Sequence, residues 1–515
     1  MKKHYDAVVV GGGISGLTAA AYLSRSDIDF ILLEKSDTCG GLVQSFEKEG
    51  FVFDAGARAF VSSGIIQPML EELGIEMPCR ENPVTLGLKN ERTDFRSRED
   101  LARYSASLAS LFPQNKADIR AISDEINDVT EELSVLFSGD NPLFREDTKD
   151  PEYLKNQLLP WFLRFLKSMV KIKKYNVPVY DYLARFTENT ALIDMIAQHF
   201  FRGTPAFFAL SYFTLYRDYF YPEGGTGRLT TLLEAYIREN GGAIRSSCEV
   251  LKIIPGEHRI VCDQGEEIRY KQMIWAADEN SLYSRCEGKL SRKARKRRTL
   301  CAEADAADSV FTVFLAADIP PAVIAEKIGV HAFLTPRTEG LSSLDKHKEG
   351  KAYWQEFLEK TTYEISCPVL RDKTLAPPGQ SGLIISSLAD YDRIKAAEEA
   401  GHYEALKSYC TEKIIEEISR FFLPELKEKQ LFSLASTPLS IERRTGNKQG
   451  GLSGWSFLNE TMPSAHSFLQ MPGSIKTPFE DILQAGQWAF SPAGIPTCIL
   501  SGRLAADKVS EALKA

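Results

Sequence analysis

Gly11, Gly13 and Gly16 follow directly after the apolar run Ala7–Val10. The first glycine of this spacing permits a tight turn, and the second lets a pyrophosphate approach the backbone. The third lets a helix pack closely on the preceding strand. The chemistry that this pattern predicts is the binding of a dinucleotide at the start of a helix, whose free N–H groups hold the anion.

Two strands and one helix must position this site. Ala7–Val10 is a continuous apolar run, which is typical of a strand in a parallel sheet covered on both faces. The helix is predicted at 17–23, after the glycine-rich run in which Ile14 and Ser15 are further candidate cofactor contacts. A second strand, Phe30–Leu33, ends at Glu34, 18 residues after the last glycine. An acidic side chain there accepts hydrogen bonds from ribose hydroxyls and repels a 2′-phosphate, so the pattern favours NAD or FAD over NADP.

The residues after this acidic position distinguish FAD from NAD. A glycine pair just past it lets the backbone come close to the rest of the cofactor, and the strand-plus-glycine segment 53–56 does the same near a flavin ring. This arrangement resembles the flavin-dependent amine-oxidase superfamily, whose FAD lies extended along its domain. The cofactor contacts that the resemblance implies in this stretch are Lys35, Gly40, Gly41, Gly56, Ala57 and Arg58.

The C-terminal segment makes a second match to the same superfamily. A predicted strand ends at Gly486, and glycine and proline residues that include Gly494 precede a helix beginning near Ile495. That helix N-terminus is predicted to lie at the ribityl chain and the pyrimidine edge of the flavin, where its dipole stabilises negative charge. Gln487 stands where relatives often carry Asp or Glu, so an amide replaces a carboxylate there.

A third piece of the cofactor unit lies in the middle of the chain. A Gly-rich turn at 224–227 opens a predicted helix, and strands follow around Val250 and at 273–275, the latter running into Ala277. In the superfamily, the residue that matches Val250 contacts adenine through its backbone. We therefore predict an α/β fold with a Rossmann-like FAD-binding domain assembled from the discontinuous segments 1–70, 221–300 and 476–515.

The remaining segments, 71–220 and 301–475, are predicted to form an interleaved α+β substrate domain. The first looks helical, with helices expected at 101–111, 116–137, 153–174 and 191–201, whereas the second mixes strands and helices. At 515 residues the chain is too long for one ordinary domain, which agrees with two interleaved units.

Over nearly its full length the chain resembles the phytoene desaturase, carotenoid isomerase and retinol saturase group. The segment 218–225 and the glycines and prolines at 486–502 carry this likeness. It implies an FAD-dependent oxidoreductase that acts on an apolar isoprenoid or polyene, by desaturation, saturation or isomerisation with hydride transfer at flavin N5. Aromatic residues at 207–221 would supply the walls of an apolar tunnel.

No motif identifies a catalytic residue. Arg58 is the residue that we favour near the flavin ring, as an electrostatic group rather than a base. Glu223, Asp278 and His199 are further candidates for proton transfer, although a histidine beside two phenylalanines is more often part of a packed core. Leu42 follows the glycine pair where many relatives carry Arg, so the electrostatics around the flavin should differ.

The segment 153–175 allows two interpretations. Residues 158–174 are dense in Trp, Phe and Leu and carry only basic charges. That composition suits an interfacial helix on an anionic membrane, and it equally suits a helix buried against the substrate domain. No apolar run is long enough to span a bilayer.

Composition excludes several function classes. With 62 Lys+Arg against 70 Asp+Glu, the chain has no basic field for nucleic acid. Nine scattered cysteines without a His/Cys cluster argue against a disulfide framework or a metal site and favour a reduced, cytoplasmic protein, soluble or peripheral on the inner membrane face. A soluble flavin oxidase of an amine or porphyrinogen and a non-catalytic flavin-fold binding protein stay as alternatives, and the sequence names no electron acceptor.

Overall fold

The computed structural model describes residues 3–26, 28–61, 63–89, 91–137 and 151–514. The strands are β1 His4–Val10, β2 Phe30–Leu33, β3 Ser45–Lys48, β4 Phe51–Asp54, β5 Phe60–Val61, β6 Cys79–Glu81, β7 Val84–Leu88, β8 Glu91–Phe95, β9 Tyr219–Pro222, β10 Ala243–Arg245, β11 Val250–Ile254, β12 Arg259–Cys262, β13 Glu267–Trp275, β14 Ser309–Ala317, β15 His331–Thr335, β16 Tyr363–Ser366, β17 Ser381–Ala389, β18 Gln430–Ser436 and β19 Ile482–Gln484. The helices are α1 Ile14–Leu23, α2 Ile66–Leu73, α3 Asp100–Leu111, α4 Lys116–Phe137, α5 Pro151–Tyr153, α6 Leu159–Ile172, α7 Val179–Leu183, α8 Thr190–Ala197, α9 Ala206–Leu215, α10 Arg228–Glu239, α11 Glu279–Ser284, α12 Arg292–Glu303, α13 Pro321–Lys327, α14 Gly350–Lys360, α15 Tyr391–Glu399, α16 Tyr403–Phe421, α17 Pro438–Thr445 and α18 Ile495–Lys514.

The first of two seven-stranded sheets is built from distant parts of the chain. Its strands run in the order β10-β2-β1-β13-β12-β11, and β19 also pairs with β13. β10, β2, β1, β13 and β19 are mutually parallel, whereas β12 and β11 form an antiparallel extension. Ala7–Val10 and Phe30–Leu33 are buried, as expected for parallel strands covered on both faces.

The two ends of the chain meet in this unit. Helix α18 packs lengthwise against α1, and both cover one face of the first sheet together with α10. The contact is close because Gly502 lacks a side chain, since a Cβ there would lie 2.4 Å from the backbone oxygen of Ser15. The C-terminal helix therefore completes the layer that the N-terminal helix begins.

The second sheet runs in the order β18-β14-β17-β16-β15-β7-β8. Its strands are antiparallel except for the parallel pair β15 and β7. One apolar cluster packs it against helices α14 and α16, and another packs β7 and β8 against α3, α4, α8 and α9. The second sheet therefore connects these two apolar clusters.

The segment 71–220 is less helical than its sequence indicates. Besides α2–α9 it contributes β6–β9, of which β7 and β8 form one edge of the second sheet. β7 pairs with β15, whose paired residues lie 247 positions further along the chain, so only the tertiary partner reveals it. Among the described residues, no helix is both long enough and apolar enough to cross a membrane.

Candidate active site

A cavity of about 360 Å³ lies at the carboxyl ends of β1 and β2, the edge of a parallel sheet at which ligands bind in such folds. All the predicted cofactor-binding residues except Gly16 and Gly40 line it: Gly11, Gly13, Ile14, Ser15, Glu34, Lys35, Gly41, Gly56, Ala57, Arg58, Val250, Ala277, Gly486, Gly494 and Ile495. The structure thus brings together residues from both ends and from the middle of the chain.

The glycine turn has the geometry that a diphosphate needs. Gly11 has φ of +106°, and a Cβ there would lie 2.7 Å from the oxygen of Ala276. Gly13 is the N-cap of α1 and faces open space, with no atom within 4 Å of where a Cβ would stand. This space in front of the helix N-terminus is a cradle that any side chain would fill, so the residues fit a dinucleotide.

The two predicted residues outside the cavity wall support it from behind. A Cβ on Gly16 would lie 1.9 Å from the oxygen of Gly11, so only glycine allows α1 to sit this close to the turn. Gly40 donates its N–H to the oxygen of Gly12 at 2.8 Å and thereby fixes the loop carrying Gly41. Both glycines act on the shape of the turn.

Glu34 lies at the end of β2 with its carboxylate turned to the glycine turn. Its Oε2 accepts a hydrogen bond from the Gly12 N–H at 2.6 Å, and its Oε1 accepts one from the Ser36 N–H at 2.8 Å. These bonds hold the carboxylate at the cavity edge, where the ribose of a dinucleotide is expected.

Arg58 is a buried cation between the two sheets. Its Nη1 donates to the oxygens of Asp54 and Gly56, at 2.6 and 2.5 Å, and its Nη2 donates to Oγ of Ser386 at 3.0 Å. Burial lowers the pKa of the guanidinium, and nearby Glu364 and Asp54 oppose that effect. Arg58 therefore presents a fixed, desolvated positive charge at the cavity wall.

A second arginine in the cavity wall was missed by sequence reasoning. Nη1 of Arg444 donates to the oxygen of Gly41 at 3.3 Å and to Oε1 of Gln44 at 3.0 Å. Burial, together with the neighbouring Arg58, lowers its pKa. Arg444 thus brings a guanidinium to the glycine pair that Leu42 follows. No local pattern could have revealed it, because the two segments lie 403 residues apart in the chain.

A row of polar residues crosses the second sheet and leads away from the cavity. Ser436, Thr312, Ser386 and Glu364 are paired across β18, β14, β17 and β16 and therefore share one face. Ser436 and Thr312 line the cavity. Neighbouring strands lie about 4.8 Å apart, so Glu364 stands about 5 Å from Ser386 and about 10 Å from Thr312. We call these four residues the polar row.

A chain of buried hydrogen bonds ends on Glu364. Arg371 donates to Oδ1 of Asn82, and Nδ2 of Asn82 lies 3.1 Å from Nδ1 of His331. Nε2 of His331 lies 2.9 Å from Oε1 of Glu364. Because the amide nitrogen donates to Nδ1, the proton of a neutral His331 sits on Nε2 and is donated to the carboxylate. Burial lowers the pKa of His331, which keeps it neutral.

Glu364 itself is held ionised. Burial raises the pKa of its carboxyl group, but the hydrogen bond from His331 and the charge of Arg58 outweigh burial and leave the pKa below its usual value. A glutamate in the short strand β16, whose other three residues are buried, is the signal from which sequence reasoning could have singled it out.

Aromatic rings cover this part of the sheet. Tyr219 stacks on His331 with ring centroids 5.8 Å apart, and Phe333 lies 5.8 Å from Tyr216. His199 forms a hydrogen bond of 2.8 Å with the hydroxyl of Tyr216. Burial lowers the pKa of His199 to about 3, so this histidine is a neutral part of the aromatic wall.

The other two candidates for proton transfer have structural partners. Glu223 lies outside the cavity wall and forms an ion pair of 2.6 Å with Arg80. Asp278 lines the cavity, but its Oδ1 accepts from the N–H of Ser281 and its Oδ2 from the N–H of Lys448. Both of its oxygens are thus engaged at the start of α11. Within the described residues, no cluster of His, Cys, Asp and Glu could hold a metal ion.

The model of the family described as flavin containing amine oxidoreductase matches residues 14–510. This chain belongs to that family. A chloroplastic prolycopene isomerase of Arabidopsis thaliana is 24% identical, over 98% of this chain and 82% of the relative. A lycopene-forming phytoene desaturase of Pseudescherichia vulneris is 22% identical over the full length of both. An all-trans-retinol 13,14-reductase of Danio rerio is 21% identical over 94% and 82%.

Solved structures show the same fold. An oxidoreductase from Methanosarcina mazei has a TM-score of 0.62 at 15% identity, over 98% of this chain and 99% of that one. A redesigned putrescine oxidase has a TM-score of 0.59 at 16% identity, over 99% of each. The predicted fold class, the flavin cofactor, the flavin-dependent oxidoreductase class and the resemblance to phytoene desaturases and their relatives are thereby confirmed.

Proposed function

We propose that this flavoenzyme acts on an apolar isoprenoid or polyene, by desaturation, saturation or isomerisation. The observation that carries the substrate class is the aromatic cluster of Tyr216, Tyr219 and Phe333, which packs on His331 of the second sheet. Thr312 and Ser436 of the same sheet line the cofactor cavity. A hydrocarbon chain packs against such a surface without leaving polar groups unpaired. The isomerase, desaturase and reductase among the relatives support this choice.

Different residues of the cavity would hold different parts of FAD. When bound, FAD supplies hydride transfer at its N5 atom. The N-terminus of α1 would hold the diphosphate, and Glu34 the ribose. Arg58 and Arg444 place two positive charges on the cavity wall, and the N-terminus of α18 adds its dipole. These groups favour negative charge, and the aromatic wall excludes water.

The division into a cofactor domain (1–70, 221–300 and 476–515) and a substrate domain (71–220 and 301–475) is part of this proposal. The first sheet draws all its strands from the first set of segments, and the second sheet draws all its strands from the second set. Because Thr312 and Ser436 of the second sheet line the cofactor cavity, the substrate would meet the flavin where the two units touch.

The test is anaerobic incubation of the FAD-loaded protein with liposomes that contain phytoene, prolycopene or all-trans-retinol. We expect bleaching of the yellow chromophore or a mass change of two hydrogens with a polyene, or an unchanged mass with altered retention for isomerisation. Turnover of putrescine or of a porphyrinogen instead would establish the soluble-oxidase alternative. Absence of turnover in every arm would favour a binding protein.

A matched pair of variants ties this turnover to the cavity. Gly11→Ala puts a Cβ 2.7 Å from the oxygen of Ala276 at a φ that L-residues rarely adopt, so it should abolish the yellow chromophore and the turnover together. Gly256→Ala adds the same methyl group in open space and should leave both unchanged.

We further propose that α6 rests on the inner face of the cytoplasmic membrane. One side of this helix packs on α4, where Ser168 donates to Glu132 at 3.2 Å and Ile172 is buried. Leu163 and Val170, 59% and 69% exposed, lie on a stripe of apolar side chains that faces water. The other members of this stripe are Leu154, Leu159 and Phe162.

Basic side chains flank the apolar stripe of α6. Arg164, Lys167 and Lys173 are exposed, and the helix carries no acidic residue. Apolar groups bordered by lysine and arginine match the interface of an anionic bilayer, with rings and aliphatic chains at the acyl boundary and cations at the headgroups. Such contact would let a membrane-dissolved substrate enter without crossing water.

Co-sedimentation with vesicles tests this contact. The protein should bind phosphatidylcholine vesicles containing phosphatidylglycerol more tightly than phosphatidylcholine alone. The double variant Leu163→Glu, Val170→Glu should weaken binding about tenfold or more, because it removes two apolar anchors and adds repulsion. Leu431→Glu, which changes an exposed leucine on β18, is the control. Equal binding by all three proteins would refute the contact.

A further inference from the structure

Only one of the two carboxylate oxygens of Glu364 has a hydrogen-bond partner among the described residues. Its Oε1 is engaged by Nε2 of His331 at 2.9 Å. Among the described residues, no donor forms a hydrogen bond with Oε2. β16 is the middle strand of the seven, yet 27% of the Glu364 side chain is accessible, so the side chain borders open space that its neighbours do not fill.

An ionised oxygen without a partner in an aromatic environment is costly to bury. Several buried groups hold the Glu364 carboxylate in this position. Arg371, Asn82 and His331 form the chain of hydrogen bonds that positions it, and none of these three reaches the open space. This arrangement differs from that of a structural carboxylate such as Asp278, whose two oxygens both accept hydrogen bonds from backbone N–H groups. A charged group that is held in a fixed orientation, with only one of its two oxygens hydrogen-bonded, is typical of a site that binds a reactant.

Glu364 is connected to the cofactor cavity through Ser386 and Arg58. Arg58, which lines the cavity, donates to Ser386, and Ser386 is the direct neighbour of Glu364 in the polar row. Among the charges that act on Arg58, Glu364 exerts the largest influence. The carboxylate therefore lies on β16, two strands beyond Thr312 of the cavity wall, on the side where the aromatic rings would hold a polyene.

We propose that Glu364 is the catalytic acid–base residue of this enzyme, with its Oε2 as the atom that exchanges a proton with the substrate. The inference rests on the proposed function. In desaturation, two neighbouring C–H bonds break. One hydrogen would leave with its electron pair as a hydride, for which bound oxidised FAD would be the two-electron acceptor, and Oε2 would take the other as a proton. The electron pair left on carbon forms the new double bond, and saturation is the same step in reverse.

His331, Asn82 and Arg371 are positioning residues in this proposal. They act through Oε1, because the donated Nε2–H fixes the orientation of the carboxylate and keeps it ionised until the proton arrives. The charged or titratable groups that face Glu364 from the surrounding elements are His331, Arg58, His199, Tyr212, Tyr216 and Tyr219.

Two substitutions separate proton transfer from packing. Glu364→Gln keeps the size of the side chain and an acceptor for His331 but cannot take a proton. Glu364→Asp keeps the acid and withdraws it by one methylene. We expect Glu364→Gln to slow anaerobic reduction of the bound flavin by the polyene about 10²- to 10⁴-fold and to abolish the acid limb of its pH profile. Glu364→Asp should restore part of the rate, and Glu91→Gln, on the exposed edge strand β8, should match the wild type.

A second readout needs no substrate. Removing the negative charge beside Arg58 makes reduction of the nearby flavin easier, so Glu364→Gln should shift the midpoint potential of the bound flavin in the positive direction. Melting temperatures of the variants check that they fold. The shift should be absent in Glu91→Gln.

The outcomes distinguish this inference from the proposed function. If the wild type turns over a polyene and Glu364→Gln is equally fast with the same pH profile, the inference is wrong and the function stands. If the FAD-loaded wild type turns over no polyene, the function is wrong, and the proton transfer proposed here falls with it. In that case, a shifted midpoint potential of the bound flavin in Glu364→Gln would still place the carboxylate near the flavin. An unchanged midpoint potential would refute that placement as well.

Discussion

Gly502→Ala tests the contact on which the cofactor cavity depends. Alanine is favoured over glycine inside a helix by about 1 kcal/mol, so the substitution would stabilise α18 on its own. The new Cβ, however, would lie 2.4 Å from the backbone oxygen of Ser15, about 1 Å closer than ordinary van der Waals contact. A backbone oxygen inside α1 cannot rotate away, so the two helices must separate.

Overpacking costs about 1 to 3 kcal/mol, and an overlap of about 1 Å with a fixed backbone atom belongs in the upper half of that range, about 2 to 3 kcal/mol. The overlap therefore outweighs the gain in helix propensity, and we expect the free energy of unfolding to fall by about 1 to 2 kcal/mol in urea titrations. FAD should bind about 5- to 30-fold more weakly, the same range expressed as an affinity, because the displaced α18 carries Ile495 away from the cavity.

The matched control is Gly473→Ala, which adds a methyl group to a glycine with no atom within 4 Å of the Cβ position. It should leave FAD affinity unchanged and should not lower the urea midpoint. If Gly502→Ala is as stable as the wild type and binds FAD equally well, the close approach of α1 and α18 does not govern the cavity.

Three further outcomes can be measured on the same protein. Arg444→Met should weaken FAD binding about 10- to 100-fold in flavin fluorescence titrations, because it removes a desolvated cation from the cavity wall, whereas Arg420→Met on α16 should not. Glu34→Gln should weaken it about tenfold, since a neutral amide oxygen replaces the ionised acceptor. Lowering the pH from 7 to 5 should destabilise the wild type through His199, which takes up a proton near pH 6.5 when unfolded but only near pH 3 when buried; His199→Gln should flatten that part of the profile of urea midpoint against pH.

Local rules explain why the cofactor unit could be predicted from the sequence. The spacing of Gly11, Gly13 and Gly16 after a buried strand depends on backbone geometry within a few residues, and the structure places that turn as expected. The same holds for Glu34 at the end of β2. Their roles toward FAD stay predictions until binding is measured.

The rest of the site depends on contacts that no local pattern encodes. β7 reads as a short apolar run, and only its pairing with β15 makes it a sheet strand. Arg444 reaches Gly41 across 403 residues, and the bond between His331 and Glu364 joins two strands whose register only the folded sheet defines. A short apolar segment or a single arginine carries too little information about its tertiary partner.

The meeting of α1 with α18 bears on how the protein is made. The ribosome makes the glycine turn nearly five hundred residues before it makes Gly486, Ile495 and the helix that backs the turn. Until then the apolar side of α1 is covered only in part, by α10, and the cleft lacks the wall that α18 forms. Coenzyme loading is therefore expected to be a late event in biosynthesis, and the supply of free flavin nucleotide would matter most once α18 has been made.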